Sequence, residues 1–401
     1  MIKTASLPGY PVRINFKKSY GSFLFDENSN QHYLDFFGMY SSLPLGYNHP
    51  YLLTKEFQQE ILEVSQFRVC NCRIESDQKQ SFLESFVKFA VPEGFSAIHF
   101  SCTGGLAVEH ACKTAMYHTE QTRELTPGTA EHLSIISFNN SFHGITSFGN
   151  FTTSKTGIPG KRLSNFPDLG WPKLNDSEDL SNFLTQGNFS NVAGVIIEPI
   201  QCTSGDIHFS IEELNSIRLL TEKYGIPLIF DEVQTGFCAT GNKWFFEKLG
   251  WTPDIVVFGK KAQVCGIIVK EGFDAIFNKP ECGRLCITFD GNLEDMVRCK
   301  HVMKAVDELQ LLENVKERSA QFCEGLRSEP RLKNLRASGV IICFELQNKE
   351  KRDTFADRLY RIGMICNATG ERSIRIRPPL SVSKDEISLG LRLIKEALND
   401  A

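Results

Sequence analysis

Short apolar segments alternate with helical patterns between about residue 80 and residue 260 of this 401-residue chain. In chain order these segments are QSFLESFVKFAV, AIHFS, AVEHACKTAMYH, LSIISF, VAGVIIEPI, IEELNSIRLLTEKYG, PLIFDEV and IVVFGK. Strands and helices that take turns in this way form a largely parallel β-sheet with helices on both faces. The alternation therefore predicts an α/β fold, in which ligands bind beyond the carboxyl ends of the strands.

The pattern changes after about residue 290 to longer helices and a short sheet signal. VIICFEL is followed by SIRIRPPLSVS and by the last helical pattern, KDEISLGLRLIKEALNDA. Together with the N-terminal segment, this region predicts a second, smaller α+β domain. We therefore expect residues 1–47 and 291–401 to form the small domain and residues 48–290 to form the large ligand-binding domain.

Composition narrows the functional classes. The net charge of -4 gives no basic footprint for nucleic acid, and 41% hydrophobic residues suit a globular protein with a large core. The N-terminus has no long apolar segment before its prolines and charges, so we expect neither a signal peptide nor a membrane span, and a cytoplasmic location.

Thirteen cysteines are scattered along the chain. Cys70 and Cys72 have the wrong spacing for a zinc or redox CxxC motif, and no second pair completes a site with Cys282 and Cys286. We therefore expect free thiols and no metal.

Polar groups directly follow several of the predicted strands, in SFHG, EPIQ, DEVQ and GKK. Asp231 ends a fully apolar strand, where a carboxylate is costly unless it meets a cation such as a protonated pyridine nitrogen. Glu198 repeats this arrangement on another strand, and Phe142 with His143 offers a flat face for stacking. These groups are expected to converge on one crevice.

The segment SCTGGLAVEHACKTA predicts a strand, a turn at Gly104 and Gly105, and a helix. Free N–H groups in the first turn of a helix suit a phosphate dianion, and the glycines let the backbone come close. The alternative is an ordinary strand-to-helix turn. Neither GxGxxG nor GxxxxGK[ST] is present, which argues against dinucleotide and Walker-type sites.

Two adjacent lysines, Lys260 and Lys261, follow the apolar strand IVVFG. They indicate either a strand that surfaces into a polar loop or an amine placed to form a Schiff base.

The motifs in order resemble those of the class III (ornithine-type) aminotransferases, over nearly the whole chain from YLDFFGMYSSLPLGYNHP to the last helix. The series comprises the Gly-Gly turn, FHG, EPIQ, DEVQTGF, PDIVVFGK, TFDGN and SIRIRPPL. EPIQCTSGDIHF and FGKKAQVCG are most similar to the versions in lysine 6-aminotransferases and 4-aminobutyrate aminotransferases. The resemblance implies a pyridoxal-phosphate enzyme of fold type I, with a mostly parallel seven-stranded sheet between helices and a smaller α+β domain.

The resemblance also implies the reaction and the central residues. The amino group of a terminal (ω) amine such as lysine would pass to a 2-oxo acid by a ping-pong Schiff-base mechanism. Lys260 would hold pyridoxal 5'-phosphate and move the proton, with Lys261 as its exposed neighbour. Asp231 would pair with the pyridine nitrogen, and Gln234 would reach the phenolic oxygen of the ring.

Further family positions surround the cofactor. Phe142, next to His143, would stack on one face of the ring and Val233 on the other. Gly104 and Gly105 would donate amides to the phosphate.

The remaining positions concern the substrate and the partner subunit. Thr288 matches a threonine that reaches the partner subunit's cofactor phosphate, which implies a homodimer with shared active sites. Arg375 matches the residue that binds the α-carboxylate, and Glu198 matches the glutamate that pairs with this arginine. For Arg377 we expect a structural role.

The sequence departs from the family pattern at two places. Ile145 stands where the most similar relatives have an arginine that grips a substrate carboxylate. Either another cation, Arg68 or Arg372, replaces it, or the substrate lacks that acid. Asp290 stands where a glycine is usual and adds negative charge near the phosphate.

Other interpretations stay open. The same fold hosts aminomutases, racemases and decarboxylases. A non-catalytic binding protein is a third class, against which the presence of both Lys260 and Asp231 argues.

Overall fold

The computed structural model describes residues 9–125, 132–154 and 168–399. Its strands are β1 (Phe23–Asp26), β2 (Gln31–Asp35), β3 (Phe95–Ser101), β4 (Ser134–Phe138), β5 (Lys173–Leu174), β6 (Val192–Ile197), β7 (Ile200–Gln201), β8 (Ile207–His208), β9 (Leu228–Asp231), β10 (Ile255–Phe258), β11 (Cys265–Lys270), β12 (Lys333–Ser338), β13 (Ile341–Glu345), β14 (Met364–Ile365), β15 (Asn367–Thr369) and β16 (Ser373–Ile376). Its helices are α1 (Gly38–Ser41), α2 (Lys55–Ser65), α3 (Asp77–Ala90), α4 (Gly104–Thr122), α5 (Ser147–Thr152), α6 (Ser177–Thr185), α7 (Ile211–Tyr224), α8 (Leu293–Glu308), α9 (Leu311–Leu326), α10 (Lys349–Arg361) and α11 (Lys384–Asn399). None of the helices in these ranges is both long and apolar enough to cross a membrane.

A seven-stranded sheet in the order β3-β11-β10-β9-β6-β4-β5 forms the centre of the described chain. The strands from β10 to β5 are parallel, and β11 runs antiparallel to both of its neighbours. The α/β fold with a mostly parallel seven-stranded sheet is therefore confirmed. Because β9 and β10 pair in register at Asp231 and Val257, the carboxyl ends of these strands lie at one edge of the sheet.

Alternate residues of the central strands enter two different cores. Ile255 and Val257 pack beneath α4, together with the small buried residues of that helix such as Ala111. Val256 and Phe258 face the opposite side, in the core that also holds Phe86 of α3. A strand covered on both faces must be apolar throughout, which explains the unbroken apolar runs in the sequence.

A second group of strands joins the two ends of the chain. The sheet β12-β13-β16-β15 is antiparallel, and β2 pairs in parallel with β14, with Leu34 opposite Met364. Phe36 shares a core with residues of α10 and α11, among them Phe355 and Ile394. The N-terminal strands thus pack with the C-terminal region.

Helix α8 packs against α2 and α3, and its apolar residues, including Val302 and Val306, belong to the same core as α3. The boundaries at residues 47/48 and 290/291 stay predictions. Residues 1–8 and 400–401, at the outer ends of the two small-domain segments, lie outside the described chain.

Candidate active site

A cavity of about 250 Å³ lies at the carboxyl ends of the parallel strands. Most of the residues singled out from the sequence line it, together with others from the same loops. The lining consists of Gly104, Gly105, Val108, Phe142, His143, Gly144, Glu198, Thr203, Asp231, Val233, Gln234, Lys260 and Cys265. Loops that follow β3, β4, β6, β9 and β10 therefore converge, as the strand order requires.

Lys260 enters the cavity from the end of β10. Its backbone has a left-handed φ of 48°, which is costly for a residue with a side chain and starts a 3₁₀ turn. Its Nζ makes no hydrogen bond or ion pair with any described residue. Burial is the main cause that lowers the pKa of Lys260 from 10.5 to about 8, so the neutral, nucleophilic amine is accessible near neutral pH.

Lys261 is buried, and the expectation of an exposed neighbour was wrong. Only 1% of Lys261 is exposed, and its Nζ lies 3.5 Å from the carbonyl oxygen of Leu43 and 3.4 Å from that of Pro378. The turn that begins at Lys260 sends the second lysine into the junction between these two segments. Burial, followed by the positive charge of Arg377, lowers the pKa of Lys261 to about 7.

Asp231 and His143 form a buried pair at the cavity wall. Nδ1 of His143 lies 2.7 Å from Oδ2 of Asp231, and Oδ1 of Asp231 accepts the N–H of Val233 at 3.1 Å. The other ring nitrogen of His143, Nε2, is buried without a partner among the described residues.

Glu198 follows β6 and accepts the backbone N–H of Phe142 at 2.7 Å. Burial raises the pKa of Glu198 from 4.5 to about 7. Within the described chain, its carboxylate forms no ion pair with Arg375, the partner expected from the sequence. Arg375 is buried and donates to the carbonyl oxygen of Cys202 at 3.0 Å, and its Nε has no described partner.

The glycine turn before α4 faces the cavity. Thr103 caps the helix by accepting the N–H of Leu106, and the N–H groups of Gly104 and Gly105 have no acceptor in the described part of the chain. A Cβ on Gly105 would lie 2.9 Å from Oγ1 of Thr146, so a side chain is not tolerated there without movement. Unpaired N–H groups in the first turn of a helix suit an anion such as a phosphate.

Gln234 is held from behind by Arg377. The side-chain oxygen of Gln234 accepts from Nε of Arg377 at 3.2 Å, which leaves its amide NH₂ group to donate toward the cavity. Arg377 itself is 1% exposed, and one of its terminal nitrogens lies 2.5 Å from Oδ1 of Asp206. Arg377 thus supports the site from outside the lining.

Thr288 and Ile145 do not line the cavity. Both are exposed on the described chain, with Ile145 at 57%. Of the two alternative cations, Arg372 is engaged by Glu345 at 3.4 Å. Arg68 lies over the ring of Phe289 and has no carboxylate partner within the described ranges.

Comparison with known proteins decides what kind of site this is. Residues 6–398 match the model of the class III aminotransferases. The chain belongs to this family. As a class III aminotransferase it is a transaminase, and pyridoxal phosphate is the cofactor of the family.

Several relatives of this aminotransferase are similar over more than nine tenths of their length. An L-lysine-epsilon aminotransferase of Mycobacterium tuberculosis is 30% identical, with 97% of this chain and 92% of the relative covered. A 4-aminobutyrate aminotransferase of Schizosaccharomyces pombe is 28% identical, with 99% and 92% covered. The structure of lysine aminotransferase from M. tuberculosis in the internal aldimine form superposes with a TM-score of 0.91 at 28% identity, with 99% and 97% covered.

The residues of this aminotransferase fit pyridoxal phosphate. The unpaired N–H groups at Gly104 and Gly105 suit the phosphate, the unpaired amine of Lys260 suits the aldehyde, and Asp231 offers a buried carboxylate oxygen. The hydrogen bond between His143 and Asp231 was missed from the sequence, as were Thr203 and Cys265 in the lining. Their only signal was their position just after predicted strands or next to the lysine pair.

Proposed function

We propose that this aminotransferase takes the amino group from a terminal (ω) amine, with lysine or a related compound as donor, and gives it to a 2-oxo acid by a ping-pong mechanism. The observation that carries the proposal is the unpaired Nζ of Lys260 in the same cavity as the carboxylate of Asp231. The names of the relatives, lysine-epsilon and 4-aminobutyrate aminotransferases, support a terminal amine as donor.

When bound, pyridoxal phosphate supplies an electron sink for the pair released as the amine-bearing carbon loses its proton. Asp231 would hold a proton on the ring nitrogen, and His143 fixes the orientation of this carboxylate through its 2.7 Å hydrogen bond. Nζ of Lys260 would accept the proton from the substrate carbon and release it again, a role that a pKa of about 8 suits near neutral pH.

The other lining residues bind and orient. Gly104 and Gly105 would donate their amide N–H groups to the phosphate. Phe142 and Val233, which line the cavity, would enclose the ring from its two faces, and the amide of Gln234 would donate to the phenolic oxygen.

Glu198, which lines the cavity, and Arg375, which lies outside its lining, would bind the substrate. The unpartnered Nε of Arg375 gives this buried guanidinium donor capacity for a carboxylate. Because the pKa of Glu198 is near 7, this carboxyl can bind neutral or charged substrate groups by changing its protonation.

The functional unit is a cytoplasmic homodimer in this proposal. Thr288 is exposed on the single chain, and the carbonyl oxygen of the next residue, Phe289, accepts a hydrogen bond from Sγ of Cys102, two residues before Gly104. Its hydroxyl would reach the phosphate held by the partner subunit, so each site would need both subunits.

A test separates the two lysines. The purified enzyme is treated with borohydride, digested and mapped by mass spectrometry, and the pyridoxyl group is expected on Lys260. Lys260→Ala should slow turnover by several powers of ten, as the loss of a nucleophile and base does in other enzymes. Recovery of the label on Lys261 would overturn the assignment.

A donor screen tests the reaction itself. Each amine is added without acceptor, and the change in cofactor absorbance and the production of aldehyde are followed. Conversion of a terminal amine, followed by recovery of the first spectrum on addition of a 2-oxo acid, supports the proposal. A reaction that releases CO₂ or an isomer and needs no 2-oxo acid contradicts it.

A second candidate keeps the reaction and changes the substrate. Ile145 is apolar and exposed where a carboxylate-binding arginine was expected, and Arg372 is already engaged by Glu345. These observations favour partners without a distal carboxylate.

A further inference from the structure

Three metal-binding side chains meet outside the active-site cavity. Sγ of Cys72, Sγ of Cys286 and a carboxylate oxygen of Asp290 all lie within 4.8 Å of one another. A tetrahedral zinc ion with metal–sulfur bonds of about 2.3 Å places neighbouring ligand atoms roughly 3.5–3.8 Å apart. The three donors are therefore close to the spacing that such an ion needs, although 214 residues separate the two cysteines in the chain.

Backbone and side-chain contacts hold the two segments together. Sγ of Cys72 lies 3.4 Å from the carbonyl oxygen of Ile287, and the side-chain nitrogen Nδ2 of Asn71 lies 3.5 Å from the carbonyl oxygen of Asp290. Both carboxylate oxygens of Asp290 lie near the N–H of Ile287, at 3.1 and 3.3 Å. The loop thus turns Asp290 back toward Cys286 before any ion is bound.

The charge of Asp290 has little compensation in this arrangement. Asp290 is 6% exposed, and within the described residues its single ion-pair candidate is His99, whose Nε2 lies 3.7 Å away. No described lysine or arginine pairs with it. A buried carboxylate of this kind needs a cation, and the two thiols beside it select a soft one.

We propose that Cys72, Cys286 and Asp290 bind a thiophilic divalent cation, with Zn²⁺ as the preferred metal. Cys70, whose Sγ lies 3.4 Å from that of Cys72, supports the site as a hydrogen-bond donor to the metal-bound sulfur. Binding releases the thiol protons of Cys72 and Cys286 to the solvent, and water fills the fourth position. Asp290, which departs from the family pattern, thereby gains a function.

The ion would brace the loop that carries Thr288. Cys286 lies two residues before Thr288, and Asp290 lies two residues after it. The carbonyl oxygen of Phe289 accepts a hydrogen bond from Cys102, which lies just before the glycine turn. With two of its residues fixed to one ion, the loop loses freedom. A link from this loop to cofactor retention in a partner subunit rests on the proposed function, whereas metal binding does not.

The test measures metal binding directly. Purified full-length enzyme is reduced, freed of metal with a chelator and titrated with Zn²⁺ against a chromophoric zinc indicator. One Zn²⁺ per chain is expected, and Cys72→Ser, Cys286→Ser and Asp290→Asn should each weaken binding at least about tenfold. Cys323→Ser, which changes a half-buried thiol on α9, is the control and should bind as the unmodified chain does.

Two further readouts keep the proposal falsifiable. Co²⁺ in place of Zn²⁺ should give a sulfur-to-metal charge-transfer band that Cys286→Ser diminishes, and Zn²⁺ should slow amide hydrogen exchange in residues 286–290. If the unmodified chain binds no Zn²⁺, or if the ligand variants bind it as tightly as Cys323→Ser does, the site does not exist. Neither readout depends on the cofactor or on turnover.

Discussion

Nδ1 of His143 and Oδ2 of Asp231 lie 2.7 Å apart, and their side chains are 0% and 5% exposed. The histidine comes from the loop after β4 and the aspartate from the end of β9, so the bond ties together two loops of the cavity. It gives Asp231 one orientation. A carboxylate whose position is fixed before the reaction costs no reorganisation during it.

Asp231→Asn tests this carboxylate. The amide keeps the shape but loses the charge that holds the ring proton, so kcat is expected to fall on the order of 10³-fold or more. Glu232→Gln is the matched control, because this neighbouring carboxylate accepts the N–H groups of Phe245 and Phe246 instead of facing the cavity. Steady-state kinetics give kcat for both variants. Near-normal turnover of Asp231→Asn would contradict the role of Asp231 in supporting the electron sink.

Lys261→Met tests the burial of the second lysine. The pKa of this amine is about 7 in the folded protein and 10.5 in its ordinary range, so between these values only the unfolded chain carries the proton. The buried lysine therefore lowers the free energy of unfolding most below pH 7, and this loss of stability becomes smaller as the pH rises toward 10.5. Lys261→Met should be more stable than the unmodified enzyme by about 1–3 kcal/mol at pH 6, with a much smaller gain at pH 9.5.

Urea unfolding at the two pH values measures this difference. Lys316→Met, at a half-exposed lysine paired with Glu313, serves as the control and should show no such pH dependence. An equal effect of Lys261→Met at both pH values would mean that the buried amine is not deprotonated in the folded protein.

Thr288→Ala tests the shared active site. A hydroxyl that donates to a phosphate dianion contributes about 1.5–3 kcal/mol, so the variant should retain the cofactor roughly ten- to hundredfold less tightly. Thr288→Ser keeps the hydroxyl and should behave as the unmodified enzyme does. Cofactor release is followed by absorbance, and light scattering gives the mass; a fully active monomer would refute the shared site.

Ile145→Arg tests substrate choice. A carboxylate placed against isoleucine is desolvated and unpaired, so the unmodified enzyme should prefer amines with a neutral or apolar tail over 4-aminobutyrate, and pyruvate over 2-oxoglutarate. The arginine should shift kcat/KM toward acidic partners about five- to two-hundredfold, and Ile145→Leu should not. If the unmodified enzyme already uses 2-oxoglutarate efficiently and Ile145→Arg does not change kcat/KM, another cation binds the distal carboxylate. Arg68 is then the first residue to mutate.

The sequence was sufficient for the fold and for the convergence of the loops, because both follow from where apolar strands end. It was insufficient for the burial of Lys261, because the sequence of two adjacent lysines does not show the left-handed backbone at Lys260 that directs Lys261 into the protein. It was also insufficient for the proximity of Cys72 and Cys286, because spacing rules recognise only groups of residues that are close in the chain. The packing of α8 against α3 likewise depends on tertiary contacts that no local pattern carries.

The parallel pairing of β2 with β14 has a consequence for synthesis on the ribosome. Leu34 and its partner Met364 are separated by 330 residues, and translation at roughly 5–20 residues per second needs about 17–66 s to make the second strand after the first. During that time one edge of the hairpin formed by β1 and β2 has no partner, and open strand edges invite association between chains. For most of its synthesis the emerging polypeptide therefore carries a complete first hairpin whose pairing partner, a two-residue strand, is made near the end.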